Sequence, residues 1–185
     1  MSSSFPTNPP YIKTAIHLRG AENLSDEHKN RNPFGRVPVL QMDDGTFLAE
    51  SQAICLLLEG LHPEPNMFGD SPEEKAKIEM WNRRVELNVL MPVAQGFRNL
   101  TGFFKDREIV VKEWGEVAAA DAKRAVEIFD THLADNQFIL GDRYCISDMT
   151  LAITLGFAKN VGQDLLGSEN IARWHAEVTS RPAFS

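Results

Sequence analysis

Residues 32–59, NPFGRVPVLQMDDGTFLAESQAICLLLE, decide how this chain folds. They read as strand, tight turn, strand and helix. Val37 to Met42 is apolar and β-prone, with Pro38 inside it. Asp44-Gly45 is a short-range hairpin signal, because a two-residue primed turn needs positive φ angles. Thr46 to Ala49 is the return strand. Glu50 and Ser51 then open an apolar helix over residues 52–59, and the Ser51 hydroxyl is suited to accept an orphan N–H of its first turn.

Three features of this stretch suit a ligand. Proline removes a ladder donor, so Pro38 belongs at a strand start or on a sheet edge. An edge there leaves the backbone of Val37 free to pair with an extended peptide. Close by, a helix N-terminus offers N–H groups and the positive end of a dipole, which suits a carboxylate, and Glu50 can pair with an ammonium group. Together these would hold a small peptide with free termini. A plain hairpin–helix unit, in which Ser51 does no more than cap, fits the same residues; local physics leaves both readings open.

The run N-P-x-G-x-V-P-x-L, then D-G, then L-x-E-S-x-A-I resembles the end of the thioredoxin-like domain of glutathione transferases. Asn32, Pro33, Gly35, Val37, Pro38, Leu40, Asp44, Gly45, Leu48, Glu50, Ser51, Ala53 and Ile54 carry the likeness. A closing segment, W-x-x-x-V-x-x-R-P-A-F, also resembles that family through Trp174, Val178, Arg181, Pro182, Ala183 and Phe184. The resemblance spans residues 11–184. It implies an α/β thioredoxin-like N-terminal domain, truncated here, followed by an all-α helical bundle. The family's first strand and first helix, where its activating Tyr, Ser or Cys sits, have no counterpart before Tyr11.

The 185 residues permit one globular unit or two small ones. Their apolar share of 43% supports a buried core. A net charge of −7 and a pI near 5.2 argue against nucleic acid or an anionic membrane as partner. No apolar run reaches membrane-spanning length, and no charged-apolar-small leader opens the sequence. The two cysteines, Cys55 and Cys145, read as free thiols of a reducing cytoplasm. The five histidines show no metal-ligand spacing, so no metal is expected.

Residues 1–10, with three serines and three prolines, read as a flexible tail. Residues 11–18 are β-prone and are expected as a strand. Residues 19–31 are polar and should form a loop, with one helical turn after Ser25. Residues 61–70, rich in proline and glycine, are expected as a linker between a domain over 11–60 and one over 71–185. Ser71-Pro72-Glu73-Glu74 is a cap, a proline at the first helical position and two acids for the dipole. The helix it opens should run to about Leu100 and kink at Pro92. A second long helix is expected over 108–133. A helix over 146–160 follows, apolar nearly all round through Leu151, Ile153, Leu155 and Phe157. The last is expected over 168–180, buried through Ile171, Trp174 and Val178. Before the third of these, the resembled family places a Ser or Thr cap answered by an Asp three residues on. Asp148 is present, Cys145 holds the cap position, and Ser147 offers a shifted cap.

The resemblance implies attack of glutathione thiolate on a small apolar electrophile, a detoxification chemistry, by a cytoplasmic homodimer. By position, Val37 would pair with the cysteinyl unit beside a cis Pro38. Glu50 and Ser51 would take the γ-glutamyl ammonium and carboxylate, and Arg36 the glycyl carboxylate. Trp81, Met91, Phe97 and Phe104 are candidates for the electrophile's pocket, with ordinary core packing as the alternative for each. Arg83, Arg84 and Arg98 could serve the site or a dimer interface, or simply be solvated. No residue is assigned to activate the thiol. The alternative function is a non-catalytic binding or dimerisation module of the same fold, and a fragment of a longer enzyme would give the same sequence.

Overall fold

The computed structural model describes residues 11–184, so the expected tail over 1–10 lies outside the described residues. The chain divides into two compact units, Met1–Cys55 and Leu56–Ser185.

In the first unit a 3-10 turn, Glu22–Leu24, leads into α1, Asp26–Arg31. Ser25 caps α1 by accepting the N–H of His28, so the helical turn expected after Ser25 is present. The strands β1, Val39–Gln41, and β2, Phe47–Ala49, form an antiparallel two-stranded sheet in which Val39 faces Ala49 and Gln41 faces Phe47. The connection is a three-residue loop, Asp43, Asp44 and Gly45, where a two-residue turn was expected. The N–H of Gly45 bonds to Met42 O at 2.9 Å, and Gly45 takes φ +84°. A type I turn closed by one left-handed glycine explains this, because only Gly45 supplies the positive φ and Asp44 does not. Asp44 instead accepts both the N–H and the hydroxyl of Thr46, which hold its pKa below the usual carboxylate value. The strand expected over 11–18 is absent. Strands exist through ladder hydrogen bonds, and among the described residues the sheet contains only β1 and β2.

The helix α2, Ser51–Leu61, follows β2. No apolar side chain described in the first unit is buried; its buried residues are His28, Asn32 and Gly35. Order there rests on hydrogen bonds more than on a core.

The second unit is helical. Ser71 caps α3, Pro72–Val85, by accepting the N–H of Glu74. The helix passes through a π-helical turn, Glu86–Leu90, into α4, Met91–Thr101. Pro92 has no N–H, and its ring would crowd the carbonyl four residues back. The chain meets the proline expected to kink it with a wider turn, in which the N–H of Met91 bonds to Glu86 O. The next helix, α5, Lys112–Ala134, begins four residues later than expected. The β-branched run Ile109-Val110-Val111 stays outside it, and the N–H of Val111 bonds to Asn99 Oδ1 at 2.8 Å. Its buried residues, Gly115, Ala118, Ala122, Ala125, Val126, Phe129 and Leu133, make one stripe of helical period. The small ones let α4 approach: a Cβ on Gly115 would lie 2.9 Å from both Asn99 Cβ and Leu100 Cγ.

The helices α6, Ile146–Asn160, and α7, Glu169–Thr179, complete the core. Leu151 and Leu155 are fully buried, but Ile153 on the opposite side is 58% exposed. The helix is therefore not enclosed all round within its unit. Asp148 closes the turn before α6 by accepting the Cys145 N–H at 3.0 Å, and Cys145 stands at the cap. Ser147 is not a shifted cap, since its hydroxyl donates to Ile78 O at 2.9 Å. Ile171, Trp174 and Val178 form the buried face of α7. The stretch expected as a linker is tied down within this unit. Glu59 accepts the N–H groups of Met67 and Phe68, and Arg143 bonds Asp70, Glu74 and the Asn66 carbonyl.

Candidate functional site

The register of the hairpin sets the site. Val39 and Ala49 are the last paired residues at one end, so Val37-Pro38 and Glu50-Ser51 emerge together just beyond the ladder. All four are at the surface, and the Val37–Pro38 bond is cis. Among the described residues nothing hydrogen-bonds to the backbone of Val37, and neither Arg36 nor Glu50 has an ion-pair partner. A peptide edge, a cation and an anion thus stand unused in one unit.

Glu50 departs from the cap geometry expected of this stretch. It takes φ +70°, in the left-handed region, and its carbonyl accepts the first helical bond from Ile54 N–H at 3.0 Å. Glu50 therefore occupies the cap and Ser51 is the first helical residue. A side chain in that region costs about 1–2 kcal/mol. Ser51 is left exposed at the first turn of the helix.

Residues of α1 hold the backbone that leads into Val37. His28 Nε2 lies 3.0 Å from the Arg36 carbonyl, and Asn32 Nδ2 donates to the same oxygen at 3.1 Å. Asn32 Oδ1 accepts the Phe34 N–H, the Gly35 N–H bonds to Asn32 O, and Asn23 Nδ2 donates to Gly35 O at 2.6 Å. Gly35 is needed here, with φ +61° and a would-be Cβ 2.9 Å from Asn23 O. Part of this was legible. An Asn that accepts the N–H two residues on is an Asx-turn, which Asn32-Pro33 announces. His28 and Asn32 also lie four apart, on one side of α1 and its end. Nothing local announced that both would reach Arg36.

In the second unit the apolar candidates separate. Phe97 and Phe104 come together: Phe97 packs against Phe103, Phe104 and Phe157 at ring separations of 5.3, 6.2 and 5.8 Å. Arg98 lies over Phe104 and pairs with Glu108, and Arg107 lies over the same ring at 4.7 Å. Trp81 is elsewhere, 4.3 Å from the His132 ring and 5.6 Å from Phe129, with Arg84 stacked on it. Met91 is 46% exposed. Among the described residues no cluster of His, Cys, Asp or Glu is grouped to hold a metal, and no helix is long and apolar enough to cross a membrane.

Comparison with known proteins fits this architecture. The family model for the glutathione S-transferase N-terminal domain matches residues 12–66, and the model for the C-terminal domain matches residues 112–182. Glutathione S-transferase 2 of Saccharomyces cerevisiae is 34% identical over 171 residues, 91% of this chain and 73% of that protein. A glutathione S-transferase domain-containing protein of Marinobacter aquaeolei has a crystal structure that aligns with a TM-score of 0.87 and 32% identity, over 92% of this chain and 84% of its own. Elongation factor 1-gamma 2 of Oryza sativa is 28% identical over 168 residues, 89% of this chain but only 39% of that longer protein. The chain belongs to the glutathione S-transferase family. Its fold is the one the resemblance implied: a thioredoxin-like N-terminal unit with a small sheet, followed by an all-helical unit.

Proposed function

We propose that the chain binds glutathione at the open end of the hairpin and transfers its thiolate to a small apolar electrophile. The observation that carries this reading is the meeting of Val37-Pro38 and Glu50-Ser51 at one end of the ladder, with the Val37 backbone unpartnered among the described residues. Val37 pairs with the cysteinyl unit as a short strand addition. Glu50 takes the γ-glutamyl ammonium, and the start of α2 with Ser51 takes its carboxylate. Arg36 reaches the glycyl carboxylate, as a fork of donors suits that group. The aromatic cluster of Phe97 and Phe104 is the better candidate contact for the electrophile. Met91 is an exposed contact, and Trp81 has the larger packing role.

Glutathione brings its own nucleophile, and the chemistry needs that thiol to be ionised. No described side chain is assigned to that task; on this reading we expect measurable glutathione binding and conjugation of an aryl halide above the uncatalysed rate. Calorimetric titration with glutathione, beside an aryl halide assay, tests both halves. Absence of any glutathione binding would remove the reading.

The elongation factor relatives favour a second reading, in which the fold serves as a binding or dimerisation module without turnover. Binding of glutathione with no conjugation would select it. In either reading we infer a homodimer in the cytoplasm, consistent with two free cysteines; light scattering measures the assembly.

A further inference from the structure

We propose that His28 and Asn32 are positioning residues that aim the Val37 N–H at a bound peptide, a role that rests on the glutathione reading above. The argument starts from the peptide unit. Arg36 C=O and Val37 N–H belong to one planar group, and that bond is trans, since the cis bonds described precede Pro38 and Pro65. In a trans peptide the carbonyl and the N–H point to opposite sides. Whatever fixes the oxygen therefore fixes the direction of the N–H.

Two donors fix it, His28 Nε2 at 3.0 Å and Asn32 Nδ2 at 3.1 Å. Both belong to side chains removed from water, with exposures of 4% and 2%. Facing a carbonyl, the His28 ring must carry its proton on Nε2. Its Nδ1 is buried with no partner, so the ring's one protein bond is the one to Arg36. Burial of a polar ring for a single bond is costly unless that bond matters. Such burial stands out in a unit where no apolar side chain is buried. The neighbouring carbonyl of Gly35 is held by Asn23, so the approach to Val37 is fastened at two successive carbonyls. Opposite the clamp, the Val37 N–H itself has no partner among the described residues. Donation to the carbonyl also polarises the N–H of the same peptide, making it a better donor.

The test uses the full chain and three variants: His28→Ala, His28→Gln, which keeps a donor near the same place, and Asn32→Asp. The last retains the oxygen that accepts Phe34 N–H but loses the donor to Arg36. Two readouts are taken. One is the amide proton shift and hydrogen exchange of Val37 in the free protein, by nuclear magnetic resonance; the other is glutathione affinity by calorimetry. We expect His28→Ala and Asn32→Asp to move the Val37 amide and to weaken glutathione about tenfold, the scale of one lost orienting contact. His28→Gln should restore both. Amides of α3 to α7 should not move, which separates positioning from unfolding. If the free protein shows an unchanged Val37 amide in both disruptive variants, the proposal is overturned. If the wild-type chain binds no glutathione, the functional reading falls, and the Val37 amide alone then decides whether the clamp sets its direction.

Discussion

The indole N–H of Trp174 donates to the carboxylate of Asp148 at 2.8 Å, joining the middle of α7 to the first turn of α6. The same carboxylate accepts the N–H of Ile139, the N–H of Cys145 and the Cys145 thiol. Burial pushes the Asp148 pKa up, and the bonds from Ile139, Trp174 and Cys145 pull against it. One side chain thus gathers a loop, a helix start and a second helix inside the core.

Asp148→Ala should strip three N–H groups of their acceptor at once. Each buried orphan costs about 1–3 kcal/mol, so the expected loss is roughly 3–9 kcal/mol, enough to unfold much of the helical unit. Urea unfolding followed by Trp174 fluorescence measures it. A loss below about 1 kcal/mol would show that water replaces the carboxylate freely.

Cys145 should make stability depend on alkaline pH. Its thiol is fully buried, and burial first, then the Asp148 charge, push its pKa from 9.0 to about 11. The folded state holds the proton more tightly than the unfolded chain. The contribution is therefore complete below pH 9 and is lost as pH rises through about 11. Two pH units correspond to about 3 kcal/mol. Cys145→Ser should remove this alkaline loss and add up to about 1 kcal/mol at neutral pH, because a hydroxyl caps a helix better. Unfolding curves between pH 8 and 11 on both proteins would reveal an unchanged slope if the thiol is not responsible.

Gly115→Ala should force α4 and α5 apart. The added Cβ would sit 2.9 Å from Asn99 Cβ and Leu100 Cγ, atoms close to the backbone that cannot swing aside. Overpacking of this kind costs about 1–3 kcal/mol. Thermal melting would show it, and an unchanged midpoint would mean that the helices have room to shift.

Glu50→Gly should act in opposite directions on stability and binding. Relief of the left-handed φ is expected to stabilise the fold by about 1 kcal/mol. Loss of the carboxylate should weaken glutathione about tenfold, since an ammonium would lose its partner. Calorimetry and melting on the same sample separate the two. Unaltered affinity would remove Glu50 from the proposed site.

Much of this was legible locally. Ser71-Pro72-Glu73 announced a helix start because capping, a fixed φ and the dipole act within one turn. The buried face of α7, Ile171, Trp174 and Val178, was legible because burial on a helix has a fixed period. Less legible were outcomes that depend on neighbours. Residues 11–18 have strand-like side chains, but a strand needs a second strand beside it, and the sheet described holds only β1 and β2. The cap at α2 moved from Ser51 to Glu50, against the propensity of both residues. Trp81 and Phe97 both looked like pocket residues, yet one stacks on His132 and the other joins three phenylalanines.

By itself, then, the sequence determined the hairpin, the start of α3 and the buried face of α7, because these follow from dihedral preference, capping and periodicity over a few residues, and its motifs carried the family resemblance. Only the tertiary structure decided that His28 and Asn32 converge on the Arg36 carbonyl and that four donors converge on Asp148. The physical reason is that a buried polar atom must find its partner wherever the folded chain brings one. For Asp148 one of those partners, Trp174, is 26 residues away.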